Sequence, residues 1–175
     1  MAIRRRKIES LVEELLATYD ITEAPVPVER IAKAKGARVF HQSLEDDVSG
    51  FLYQDNEQTV IGVNTHHAPV RQNFTTAHEL GHLLLHDQEQ LHVDHDFRVR
   101  LRDDMSSQGT DDYEREANFF AASLLMPRRF LEEDLEGVHY VNLLDDDFLY
   151  DLGRKYGVSV QALVNRLKNL NYIPE

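Results

Sequence analysis

The sequence predicts an α+β fold that is mostly helical, with a small β-sheet or hairpin ahead of a long helix and a helical C-terminal segment. Three observations carry this. Ile8, Leu11, Val12, Leu15 and Leu16 recur at helical spacing on one face. Two β-rich runs, residues 49–53 and 59–64, flank a polar Gln54-Asp55-Asn56-Glu57 stretch that reads as a hairpin loop. Beyond Pro69, most of the regular segments are helical in pattern.

Taken in order, residues 3–18 form the first helix, and Pro25 and Pro27 break the chain after it. Residues 28–35 read as a short second helix closed by Gly36. Residues 37–41 suit a strand, followed by the hairpin. Pro69 is a good first-turn residue for a helix running to about His86. Residues 87–110 are the least regular part and read as a long surface segment. Asp111 or Asp112 caps the next helix, which runs to about Met126 and stops at Pro127. Short helices follow near residues 128–134 and 145–156, and a last helix starts at Ser159. The 175 residues suit one domain: 1–36 N-terminal helices, 37–64 small sheet, 69–127 the paired central helices, and 128–175 C-terminal helices.

The composition, 42% hydrophobic and 29% charged, is that of a water-soluble globular chain, and no apolar run reaches membrane-spanning length. The basic start, Arg4-Arg5-Arg6-Lys7, is followed by Glu9, Glu13 and Glu14 instead of a signal-peptide core, so a cytoplasmic protein is expected. A net charge of −12 opposes nucleic-acid binding through the bulk surface. It serves solubility, or forms an acidic rim that favours basic peptides. There are no cysteines, so any zinc site must be built from histidine and carboxylate.

The most specific motif is His78-Glu79-Leu80-Gly81-His82. On a helix both imidazoles share a face one turn apart, and Glu79 is offset toward a bound water. Leu80, Leu83, Leu84 and Leu85 make that helix a buried one, and buried imidazoles and carboxylates need partners. The spacing therefore points to one divalent ion, Zn2+ first, with Mn2+ or Fe2+ also accepted by such ligands. A third ligand must come from elsewhere. The pattern H-E-x-x-H-x-x-G-x-x-H fails at Leu85 and Gln88. His86 lies about 6 Å along the axis beyond His82, at about 1.5 Å per residue, so it is expected to support a ligand or to pack. Glu114, one turn before Asn118, is the first choice, and Asn118 is placed to hydrogen-bond a ligating imidazole. Ala117, Ala121 and Ala122 let that helix approach closely. Glu116, on another face, is the second choice.

Asn64, the run 71–86, then Glu114 with 117–122 and 124–127, resemble the ImmA/IrrE metallo-endopeptidases, as do Ser49-Gly50 and Ile61-Gly62-Val63. The likeness spans about residues 48–130. It implies a zincin-like α+β zinc peptidase of the gluzincin type, with His78, His82 and Glu114 as metal ligands and Glu79 as the catalytic base. It also implies a helix-turn-helix transcriptional repressor as substrate and partner, encoded separately because this chain begins almost at the peptidase. Relatives act in stress-response and toxin–antitoxin settings. The alternative is a metal-stabilised regulatory binding or sensor module that does not cut.

Tyr113, His92, His95, Arg71, His139 and Tyr140 are candidates to stabilise an oxyanion, each expected instead at the surface or in packing. Residues 152–167 look like a helix-turn-helix. Residues 151–175 carry four basic and two acidic side chains, yet packing or partner docking is favoured over DNA contact.

Overall fold

The computed structural model describes residues 3–86, 91–95 and 108–173. Helix α1 (Arg5–Thr18) buries Ile8, Val12, Leu15 and Leu16, the stripe its spacing demands. Helix α2 (Val28–Ala34) ends just before Gly36, whose φ of +86° suits a residue without Cβ. Strands β1 (Ala37–Gln42), β2 (Val48–Gln54) and β3 (Thr59–Asn64) follow. Asp55 closes the β2–β3 hairpin by accepting the Glu57 and Gln58 amides at 2.8 Å each.

The sheet has the order β1-β3-β2-β4, with β1 parallel to β3 and the other pairs antiparallel. Strand β4 (Leu91–His95) lies on the outer edge, with His92 opposite Leu52 and a bulge between Val48 and Gly50. This strand corrects the reading of residues 87–110 as irregular surface. The rest of that segment up to residue 107 lies outside the described residues, as does the side chain of Asp111. The alternation in Leu91-His92-Val93-Asp94-His95 was the available signal: it places His92 and Asp94 on one face.

Helix α3 (Pro69–Leu85) crosses the sheet. A Cβ on Gly50 would come within 2.5 Å of Thr75 Cγ2 and 2.6 Å of the Gly62 carbonyl oxygen, so glycine allows helix and strand to touch. Buried Asn64 fastens the connections at the end of β3. Its amide donates to the Glu45 and Val48 carbonyls, and its oxygen accepts the Leu44 and His66 amides.

Helix α4 (Gln108–Leu125) packs along α3 and α1, and α5 (Arg128–Asp134) follows Pro127. The last two helices are α6 (Asp146–Tyr156), capped by Asp145, and α7 (Val160–Asn169), capped by Ser159. Gly157 joins them at φ +65°. The helix-turn-helix-like pair packs on the body. Arg166 of α7 is 1% exposed, donates to the Met126 carbonyl at 3.1 Å and faces Glu9 at 3.5 Å. Among the described residues no helix is long and apolar enough to cross a membrane.

Candidate metal centre

The stretch from Thr75 to His82 is buried throughout, because α3 is covered by the sheet on one side and by α4 on the other. One helical turn sets His78 and His82 side by side, with their Nε2 atoms 3.0 Å apart. Close approach of α4 completes the arrangement. A Cβ on Gly81 would lie 2.9 Å from Phe120 Cδ1 and 3.2 Å from Ala117 Cα, so glycine against alanine is what lets the helices meet. Glu114, one turn earlier on α4, then faces both rings. Its Oε2 lies 3.5 Å from His78 Nε2 and its Oε1 3.2 Å from His82 Nε2.

Ligand atoms about 2.0–2.1 Å from a tetrahedral zinc ion are separated by about 3.3 Å. The three separations, 3.0, 3.2 and 3.5 Å, bracket that value. The donor set and its spacing therefore fit one divalent ion. His92, brought in by β4, is the residue that sequence reasoning placed elsewhere. Its Nε2 lies 3.3 Å from Glu114 Oε1, and its ring centroid is 4.0 Å from that of His82. Donor atoms of His78, His82, His92 and Glu114 all lie within 4.8 Å of one another.

Burial lowers the His82 pKa to about 3, against the pull of Glu114. Burial would raise the Glu114 pKa, but the facing His78, His82 and His92 rings hold it well below the ordinary carboxylate range. An ionised Glu114 carboxylate beside a neutral His82 ring is the charge state a dication requires.

A hydrogen-bonded chain orients His82. Glu116 accepts from Arg4 Nε at 2.9 Å, Arg4 NH2 at 2.6 Å and the Arg4 backbone amide at 2.9 Å, and the Arg4 contacts take its pKa down to about 2. An ionised Glu116 only accepts, so His86 Nε2, 3.3 Å away, carries the proton that it receives. Burial keeps the His86 ring neutral by lowering its pKa, which leaves Nδ1 as an acceptor. His82 Nδ1, 3.3 Å from it, is then the donor, and the lone pair of His82 Nε2 points to the centre. The backbone allows this because α3 stops at Leu85 and His86 is extended (φ −126°, ψ 140°). His86 thus sits behind a candidate ligand, and Glu116 faces Arg4 and His86.

Glu79 is fully buried, and its carboxylate groups with His78 and Asp94 within 4.8 Å. A cavity of about 420 Å³ opens beside these residues, between Val70 and Phe74 of α3, Asp94 of β4, and Val158 and Ala162 at the α6–α7 corner. Asn118 lines it as an exposed residue, and among the described residues no hydrogen bond joins it to an imidazole. Arg71 also lines the cavity and donates to Ser49 Oγ at 3.0 Å. Tyr113 stacks on His86, with centroids 4.3 Å apart. His139 and Tyr140 are exposed and do not line the cavity. The side chain of His95 lies outside the described residues.

Comparison with known proteins places this architecture. Immunity region protein 2 of Bacillus phage phi105 is 28% identical over 120 residues, covering 69% of this chain and 68% of its own. A Mycobacterium tuberculosis transcriptional regulator shares the fold with a TM-score of 0.63 at 21% identity, over 93% of this chain. This chain spans 47% of that regulator's length. The profile of the peptidase family described as the IrrE N-terminal-like domain matches residues 32–168, and the chain belongs to that family.

Proposed function

We propose that this protein is a zinc-dependent endopeptidase that cleaves a helix-turn-helix transcriptional repressor or a related regulator. The carrying observation is the convergence of His78, His82 and Glu114 at zinc-ligand spacing, with Glu79 buried beside His78 and a cavity lined by His78 and Glu114. His78 and His82 give imidazole nitrogen donors and Glu114 gives a carboxylate oxygen. A bound zinc ion would polarise the scissile carbonyl and acidify a water. Glu79 takes the proton from the attacking water and delivers it to the leaving amine as the C–N bond breaks. Its burial beside His78 keeps it at the reacting atoms and away from bulk solvent. Arg4, Glu116 and His86 hold the His82 ring in one tautomer.

The cavity walls suit a polypeptide substrate. Val70, Phe74, Val158 and Ala162 offer apolar contact, while Asn118 and Asn165 offer amides to a backbone. A regulator as substrate is supported by the phage immunity-region relative. The test is to incubate zinc-loaded protein and its Glu79→Gln variant with the helix-turn-helix regulator encoded beside the gene and to read fragments by mass spectrometry. Fragments are expected from the parent alone. Equal cleavage by the variant would remove Glu79 from the mechanism. No fragments from either, with the regulator bound, would support a non-cutting sensor.

A further inference from the structure

A peptidase centre keeps one metal position open for water, with three positions filled by protein. Here three donors come from α3 and α4, and β4 presents a fourth. His92 Nε2 lies 3.3 Å from Glu114 Oε1, matching the 3.2 Å between His82 and the same oxygen. That separation is close to the roughly 3.3 Å expected between neighbours around a tetrahedral ion. The His92 ring lies 4.0 Å from the His82 ring, and its Nε2 is buried although the side chain is 16% exposed. We infer that His92 is a fourth protein ligand that closes the resting centre, so that the peptidase is latent until the incoming substrate displaces β4 and draws His92 away. This rests on the metal reading above and adds to it how access of water is controlled.

The anchoring of the four donors supports the division of roles. His78, His82 and Glu114 sit on two long helices locked together at Gly81 and Ala117. His92 sits on a five-residue strand at the edge of the sheet that, among the described residues, pairs only with β2, next to a bulge. An edge strand carries few ladder hydrogen bonds and is the cheapest element of a sheet to displace. Withdrawal of β4 removes one donor and leaves the other three in place.

The test compares the full-length parent with His92→Phe, which keeps an aromatic ring on β4 but has no donor, His92→Ala, and His82→Ala. Zinc affinity is read by chelator competition, Co2+ substitution by visible absorption, and open positions by acetohydroxamate binding; circular dichroism verifies the fold of each variant. Both His92 variants are expected to keep one zinc at about 10–100-fold lower affinity. They are also expected to show an altered Co2+ spectrum and to bind acetohydroxamate at least about tenfold more tightly than the parent. His82→Ala is expected to lose the metal. If His82→Ala loses zinc while His92→Phe matches the parent in affinity, spectrum and acetohydroxamate binding, the fourth-ligand inference is overturned and the three-ligand centre stands. If zinc binding is unaffected by His82→Ala as well, the metal reading itself fails.

Discussion

Replacing Glu116 by Gln tests the chain that orients His82. The carboxylate takes a fork of two bonds from the Arg4 guanidinium, a third from the Arg4 amide, and the His86 Nε2–H. Its pKa falls from an ordinary 4.5 to about 2, first through the Arg4 hydrogen bond. That difference corresponds to roughly 3–4 kcal/mol at about 1.4 kcal/mol per pH unit. Glu116 is 6% exposed but Arg4 is 36% exposed, so solvent screening reduces the figure to about 1–2 kcal/mol. The depressed pKa fixes the sign: the contribution is complete above pH 4.5 and is lost as pH falls toward about 2. Urea unfolding of metal-free parent and variant should therefore differ by about 1–2 kcal/mol at pH 7 and by less than half of that at pH 3. Zinc affinity at pH 7 should fall about tenfold, because His86 loses the charged acceptor that sets its proton. A stability difference independent of pH would refute the charge argument. Unchanged zinc affinity would refute the relay to His82.

Further outcomes follow from other parts of the molecule. Gly81→Ala places a Cβ 2.9 Å from Phe120 and 3.2 Å from Ala117, so it should cost about 1–3 kcal/mol in thermal unfolding despite the better helix propensity of alanine. It should also weaken zinc binding, since α4 carries Glu114; a neutral or stabilising effect would argue against the tight crossing. In the metal-free protein, His82 titrates near 3, so the native state binds fewer protons than the unfolded chain between about pH 6.5 and 3. Stability should fall as pH drops through that window, and His82→Asn should flatten the slope in urea titrations. Arg166→Met leaves the Met126 carbonyl and Glu9 without their buried partner and should lower stability by about 1–3 kcal/mol. A wild-type unfolding midpoint for that variant would show the buried arginine to be dispensable.

The parts of the site set by local spacing were legible in the sequence. His78 and His82 are one turn apart on a single helix, so their convergence needs only a period of 3.6. The close approach of α4 was readable in Ala117 and Ala121, which meet Gly81 and the core. Every helix bound came within a few residues, because prolines 27, 69 and 127 and the caps at Asp145 and Ser159 punctuate the chain. What spacing cannot show is which distant segment pairs with which. His92 reaches Glu114 only because β4 adds to β2 in the register that sets His92 opposite Leu52. Arg4 reaches Glu116 only because α1 lies along α4. Both contacts depend on tertiary packing, and neither leaves a periodic trace in the sequence. The C-terminal pair behaves likewise. Its resemblance to a DNA reader is local, but Arg166, one of its four basic residues, is turned inward and the α6–α7 corner walls the cavity.

The division between helices and edge strand has a functional consequence. Arg4 ties three elements at once, through Glu116 of α4, the Leu85 carbonyl at the end of α3, and its own place before α1. These ties hold the parts of α3 and α4 that carry His82 and Glu114 without involving β4. A force acting on β4 would therefore move His92 and Asp94 together, since they share a strand face, while His78, His82 and Glu114 stay in place. In the proposed four-ligand centre, retention of the metal and exposure of its fourth position would be uncoupled: the strand could respond to a partner without release of the ion.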